Sequence, residues 1–236
     1  CLGKLPLWAG LVLLITGVVF LRIGRFNCPD WTSYFLDVGQ GDSMLLVNRK
    51  NSKAILVDGG PENSGYYDIE PAMRELGVNM IDLAIVTHGH ADHISGVIEL
   101  AELGLIEEIA VSQISVKAVD AFYQQDDLLS KYTSGSNEEQ DMTKLLISIC
   151  SDLSIPVQYL KKHDTITLPG DASMNVISPD SDADLACVRE DQNEASIIIE
   201  FLCGSLRTLL LADLAEKQER ELMTVWKQAD LIKVAH

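Results

Sequence analysis

Apolar residues in this chain fall into short runs that are separated by glycine, asparagine and aspartate. In the first half such runs occupy 34–38, 44–47 and 54–57, with two more at 83–86 and 109–111. Runs of this length between turn residues are typical of strands buried in a core. The second half repeats the pattern, and we expect its strands at 157–160, 165–168, 174–177, 196–202, 208–211 and 231–235.

A helical spacing of apolar residues appears between these runs. It predicts helices over 68–76, 93–103, 138–153 and 215–227, while the polar residues 120–137 give no clear prediction. In 138–153 the expected buried face carries Leu145, Leu146, Ile149, Cys150 and Leu153. Strands, helices, strands and a final helix predict an α/β fold with two sheets sandwiched between helices, an αββα order.

The N-terminal segment has a different composition. Residues 5–21 form a run of 17 without a charge, between Lys4 and Arg22. As a helix this run would be about 26 Å long, at the short end of what crosses a bilayer. We therefore expect a transmembrane helix with its flank in 1–28 and a globular domain in 31–236. A signal-peptide core and a buried helix are the alternatives.

Both ends of the sequence favour its being a fragment. It begins with Cys1, which an acylated lipoprotein would also do, although such a cysteine is normally followed by a polar tether. It stops at His236, directly after the strand expected at 231–235. We expect the domain to be truncated at its C-terminus, with an exposed sheet edge there.

Charge and cysteine content narrow the classes of function. The net charge is −17; residues 1–28 carry +3, which leaves −20 on the remainder. An acidic surface repels phosphate backbones, so tight nucleic-acid binding by the domain alone is not expected, although a metal enzyme acting on a phosphate is still possible. The five cysteines have no paired spacing, and we interpret Cys150 and Cys203, which lie in apolar runs, as buried thiols.

Three of the five histidines lie within six residues, directly after the strand expected at 83–86. They are His88, His90 and His93, and Asp92 stands among them. Imidazole suits zinc, and carboxylate also admits manganese or iron. We expect His88 and His90 to bind one cation from an extended turn, and Asp92 and His93 to reach a second at the start of a helix. A chance cluster of surface histidines is the alternative.

This spacing resembles the H-x-H-x-D-H motif of the metallo-β-lactamase superfamily, which implies the αββα fold and a site for one or two metals. The segments 35–43, 55–60 and 87–96 further resemble the C-terminal domain of ComEC-type DNA-uptake proteins. Segments 193–196, 209–213 and 231–236 agree with that resemblance, which covers roughly 31–236. In such a protein the apolar run before the domain would be the last membrane helix.

The resemblance also implies further site residues. Asp213 would bridge the two metals, although an aspartate at that point could instead cap a helix. Ala212 stands where the family commonly has glycine. His236, or the residue after it, would be the last metal ligand. Relatives often have another ligand histidine before the bridging aspartate, but the candidate here, His163, has a polar setting that predicts a solvated turn.

Five polar residues are candidates for holding the imidazoles in orientation from behind. Asp37, Gln40 and Asp42 lie in the first glycine-containing turn, and Asp58 precedes a Gly-Gly pair. The fifth residue, Asn193, could instead complete the second metal site.

The resemblance implies a membrane-tethered phosphodiesterase or nuclease that acts on DNA during uptake, with two divalent ions, Zn or Mn, and Asp92 orienting or deprotonating the attacking water. The rest of a polytopic channel would be its partner, and the domain would lie on the extracytoplasmic face. Arg22 and Arg25 after the apolar run would favour the cytoplasmic face instead. The rival functions are a hydrolase of the same fold acting on a small ester, lactam or nucleotide, and a non-catalytic domain of the channel.

Overall fold

The computed structural model describes residues 30–117, 142–179, 192–214, 220, 222 and 229–234. The apolar run 5–21 and the polar segment 120–137 lie outside these residues. Within the described part of the chain, no helix is long and apolar enough to cross a membrane.

The first sheet has six strands in the order β1-β2-β3-β4-β5-β6. They are β1 (Thr32–Phe35), β2 (Ser43–Asn48), β3 (Lys53–Gly59), β4 (Leu83–Ile85), β5 (Ile109–Ser112) and β6 (Val157–Leu160). The first three are antiparallel, and β3 to β6 run parallel. The carboxyl ends of the four parallel strands therefore meet at one edge.

Several helices pack on one face of this sheet. A π-helical turn, Gly65–Ile69, leads into α1 (Glu70–Leu76), which ends at Gly77 with φ +72°. Helix α2 (Ala91–Glu102) follows the histidine-rich turn, and α3 (Thr143–Leu153) precedes β6. Left-handed backbone at a helix C-terminus suits glycine, so Gly77 explains where α1 stops.

The second sheet has five strands in the order β11-β10-β9-β8-β7. They are β7 (Thr165–Leu168), β8 (Ala172–Ser178), β9 (Ile198–Cys203), β10 (Leu206–Leu210) and β11 (Leu231–Lys233), with a 3-10 turn at Gln192–Ala195. Strands β7 to β10 are antiparallel, and β11 lies parallel to β10. The carboxyl ends of β10 and β11 are thus side by side.

The core is layered, and the alternation along β2 shows how. Leu45 and Val47 pack towards the helices, whereas Met44 and Leu46 pack between the two sheets. The central strands β2 to β5 are therefore buried on both faces, which is why they consist of continuous apolar runs. A third apolar cluster, on Ile198, Leu209 and Leu211, is joined by Leu222 from the segment predicted as the last helix.

The predicted α/β fold with two sheets is confirmed, and most strand bounds lie within two residues of the prediction. The buried face of α3 was wrong in part. Leu146 and Cys150 are fully buried, but Leu145 and Leu153 are about half exposed. Too many positions on this helix are apolar for the pattern to select the packed face, which the sheet beneath decides.

Candidate metal centre

The histidine-rich turn lies where the carboxyl ends of β3 and β4 in the first sheet meet those of β10 and β11 in the second. Thr87 to His90 connect β4 to α2, and Asp58 lies near the end of the neighbouring strand β3. From the second sheet, Asp213 follows β10. A backbone hydrogen bond from Ile197 N to the Thr87 carbonyl, 2.9 Å, joins the two halves beside this point. The candidate centre is therefore built from both sheets.

Asp58 holds the turn from behind. Its buried carboxylate accepts the Thr87 N–H and the Thr87 hydroxyl, each at 2.8 Å. Its Oδ2 also lies 3.0 Å from His93 Nδ1. A carboxylate accepts hydrogen bonds, so the proton sits on His93 Nδ1, and His93 Nε2 is left as the ligating atom.

The same logic orients His88. The Thr87 hydroxyl gives its single proton to Asp58, and its oxygen lies 3.1 Å from His88 Nδ1. The imidazole is then the donor in this contact, and His88 Nε2 is available to a metal. Thr87 thereby fixes the tautomer of His88, whereas Asp58 fixes that of His93 directly.

The distances between ligand atoms fit a bound cation. His93 Nε2 lies 3.4 Å from Asp213 Oδ2, and His88 Nε2 lies 3.1 Å from His90 Nδ1. Two donors on one tetrahedral zinc are about 3.3 Å apart, given metal–ligand bonds of about 2.0–2.1 Å. Ligand atoms of His88, His93 and Asp213 all lie within 4.8 Å of one another. The donor set and its spacing therefore fit divalent metal.

Asp92 stands at the mouth of this group. It is half-buried in the first turn of α2, and its Oδ1 lies 4.0 Å from His93 Nε2. A carboxylate in the first turn of a helix also interacts favourably with the helix dipole. Asp92 is thus placed to touch both a cation at His93 and a molecule entering from solvent.

The electrostatics of the site favour positive charge at His93. Burial alone would lower the pKa of this imidazole, but the charges and hydrogen bonds of Asp58 and Asp213 outweigh burial and raise the pKa to about 10. Two carboxylates on opposite sides of one ring make this the strongly anionic part of the centre, where a divalent cation is compensated.

Asp42 belongs to a second, overlapping group. Single ligand atoms of Asp42, Asp58 and His93 also lie within 4.8 Å of one another. Asp42 forms an ion pair with Lys233, the last residue of β11. A small cavity next to this pair is lined by Asp42, Asp58, Thr87, Ala212 and Lys233.

The other residues that the sequence suggested for the site lie mostly at the surface or in neighbouring turns. Asp37 and Gln40 are exposed, and Asp37 Oδ1 accepts the Gly39 N–H at 3.3 Å within its own turn. Asn193 is half-buried in the 3-10 turn before Ile197, and its carbonyl accepts from Ser196 N. His163 is exposed on the turn between β6 and β7, as predicted. His236 lies outside the described residues.

Two residues of the centre were missed by sequence reasoning, Thr87 and Lys233. Thr87 directly precedes His88, and a buried hydroxyl next to a ligand could have been proposed as its partner. Lys233 is a lone charge in an apolar run, a pattern that predicts a solvent-facing position on a strand. Its partner Asp42 is distant in sequence, so the local pattern could not predict the ion pair.

Residues 36–191 match the sequence profile of the metallo-β-lactamase superfamily. The match covers about two-thirds of the chain and includes the turn 87–93 with Asp42 and Asp58. This chain belongs to the metallo-β-lactamase superfamily. The superfamily typically binds two divalent metals, often zinc. None of the curated proteins matches the sequence.

Three solved structures are similar to this chain. A metallo-β-lactamase from Cronobacter sakazakii with a HARLDQ motif is 15% identical, with a TM-score of 0.52, and the alignment covers 88% of this chain and 76% of that one. A β-lactamase from Chitinophaga pinensis is 16% identical (TM-score 0.48; 79% and 64%). A metallo-β-lactamase from Staphylococcus aureus is 19% identical (TM-score 0.44; 79% and 44%). This chain thus spans less than half of the staphylococcal protein's length. At such identities the likeness is one of fold alone.

Proposed function

We propose that this protein is a metal-dependent hydrolase, and more specifically a phosphodiesterase that cleaves DNA during DNA uptake. The observation that carries the hydrolase part is the convergence of His88, His93 and Asp213 from two sheets onto one point. The DNA part is supported by the resemblance of six segments, among them 35–43 and 231–236, to ComEC-type domains. In this proposal the run 5–21 tethers the domain to the membrane beside a polytopic channel, on the extracytoplasmic face.

The ligands would be His88, His90, Asp92, His93 and Asp213, with His236 or its successor completing the set, for two ions of Zn or Mn. Such ions would lower the pKa of a bound water towards about 7 and would screen phosphate charge. Asp58 and Thr87 keep the Nε2 atoms of His88 and His93 turned towards the ions.

Asp92 is the residue proposed to handle the proton. Its carboxylate orients the water and accepts a proton as the water oxygen bonds to phosphorus. The bond from phosphorus to the leaving oxygen then breaks, and the proton returns to that oxygen. A half-buried carboxylate at the mouth of the site is suited to this exchange, because it contacts both solvent and the ligand group.

The test is turnover by the purified protein, loaded with Zn or Mn and compared with a chelated sample. Three substrates distinguish the functions: plasmid DNA, bis-p-nitrophenyl phosphate and a chromogenic β-lactam. We expect metal-dependent cleavage of plasmid DNA and of bis-p-nitrophenyl phosphate. The rate of this cleavage should fall by a factor on the order of 10² or more in Asp92→Asn. The matched control His163→Ala should keep the parent rate. Lactam turnover alone would support the small-substrate hydrolase, and bound metal without any turnover would support a structural domain.

A further inference from the structure

The candidate metal centre depends on the relative position of two separate sheets. His88 and His93 come from the first sheet and Asp213 from the second, yet His93 Nε2 lies 3.4 Å from Asp213 Oδ2. Metal ligands must be held within about 0.5 Å of their working positions. Small sliding between the sheets would therefore separate the ligands, so the fold needs a contact that fixes this distance.

The ion pair between Lys233 and Asp42 lies at this junction. Lys233 ends β11 in the second sheet, and Asp42 directly precedes β2 in the first. Both side chains are largely buried, with 19% and 11% of their surfaces exposed. A charge pair this far from solvent is screened little, and removal of either partner leaves the other charge buried without compensation.

Each partner is also tied by its backbone to a segment that carries a candidate ligand. Asp42 N donates to the Asp92 carbonyl at 3.3 Å. The Lys233 carbonyl accepts from Leu211 N at 3.1 Å, two residues before Asp213. A continuous path of contacts therefore runs from Asp92 through Asp42 and Lys233 to the Asp213 segment.

We propose that Lys233 and Asp42 form a positioning pair that sets the distance between the two halves of the metal centre. Through this pair Lys233 determines how tightly the chain holds the ion that needs ligands from both sheets. Neither residue has to touch the metal or the substrate for this role. The inference concerns metal binding and holds whichever bond the enzyme hydrolyses.

The experiment compares four variants of the full 236-residue chain. Lys233→Met removes the charge and keeps the length of the side chain, Lys233→Arg keeps the charge, and Asp42→Asn removes the opposite charge. Lys53→Met is the matched control, because it breaks another lysine–aspartate ion pair, with Asp82, at the far end of β3. The readouts are zinc affinity and stoichiometry, the visible spectrum of the cobalt-substituted chain, and amide hydrogen exchange of Asp42 and Leu211 in metal-free protein.

We expect Lys233→Met and Asp42→Asn to weaken the more weakly bound zinc at least tenfold, to change the cobalt spectrum and to speed exchange at both amides. Lys233→Arg should stay within a few-fold of the parent, and Lys53→Met should match it. Parent-like zinc binding in Lys233→Met would overturn the proposal. So would an equal loss in Lys53→Met, which would indicate general instability instead. If Lys233→Met does not fold by circular dichroism, Asp42→Asn decides in the same way.

Discussion

Asp58 combines an uncommon backbone with three polar contacts, and this makes it a sharp residue to test. Its φ of +58° is a conformation in which aspartate and asparagine are enriched among residues other than glycine. Asn can therefore keep the backbone. It cannot accept from Thr87 and His93 as a carboxylate does, so the His93 tautomer is no longer fixed.

We expect Asp58→Asn to lower metal affinity by roughly 10–100-fold, the usual effect of losing such an outer partner. Asp82→Asn is the control, since that carboxylate also accepts a backbone N–H, from Ala54 at 2.7 Å, but at the opposite end of β4. Zinc titration in a competing chelator measures both variants. An unchanged affinity in Asp58→Asn would show that Asp58 does not orient His93 for metal binding.

Ala212 gives a second prediction at this scale. It adopts φ +49°, which is strained for alanine, at the position where the resembling family commonly has glycine. A left-handed backbone conformation costs a residue with a Cβ roughly 1–2 kcal/mol, and glycine removes this cost. Glycine also makes the unfolded chain more flexible, which offsets part of the stabilisation.

Ala212→Gly should therefore stabilise the chain by about 0.5–1 kcal/mol in urea unfolding. Ala101→Gly, inside helix α2, should destabilise it by a similar amount, because glycine lacks helix propensity. Equal destabilisation by both substitutions would mean that Ala212 is not strained in the folded protein.

At the scale of elements, helix α2 sits unusually close to strand β3. A Cβ added to Gly96 would lie 1.9 Å from the Gly59 carbonyl oxygen, and one added to Gly59 would lie 2.4 Å from Val97 N. The two elements can approach this closely only because both positions are glycine. The approach brings His93 on α2 within hydrogen-bonding distance of Asp58 on β3. The glycines of the motif thus serve packing of the site's framework.

Gly96→Ala should force α2 away from β3 and so move His93 and Asp92 together. We expect a loss of on the order of 1–3 kcal/mol or more in stability, with weaker metal binding. Gly104→Ala, just beyond α2, meets nothing within 4 Å and should cost only about 1–2 kcal/mol from its φ of +69°, with metal affinity unchanged. Parent-like zinc binding in Gly96→Ala, measured below its unfolding range, would contradict this account.

The elements also show how far the sequence could predict the fold. Strands 157–160 and 165–168 were predicted to the residue, because short apolar runs between turn residues have few other structures. The turn 87–93 could be recognised as a candidate metal site, since its histidines and aspartate lie together in sequence. The Lys233–Asp42 pair and the exposed face of α3 could not be predicted, because both depend on which surfaces meet after the sheets pack. Local pattern determines an element, whereas tertiary contact determines which of its sides is used.

For the whole molecule, charge is the property that bears most on the proposed DNA substrate. The chain carries −17 overall, and residues 1–28 carry +3, which leaves −20 on residues 29–236. Affinity for DNA scales with the phosphates that lysine and arginine neutralise. A domain with this charge has to gain its phosphate contacts locally, at cations held by the carboxylates around His93.

We therefore expect DNA binding that depends on metal and hardly at all on the protein surface. With a chelator present, a phosphorothioate oligonucleotide, chosen to resist cleavage, should bind with a Kd weaker than roughly 10 µM. Zn or Mn should tighten binding, and inorganic phosphate should compete. The control replaces Arg22 and Arg25 with Gln, so that the basic N-terminal segment is not mistaken for a domain surface. A sub-micromolar, salt-sensitive affinity in chelator that survives this control would contradict the prediction, because it would require a cationic surface outside the metal centre.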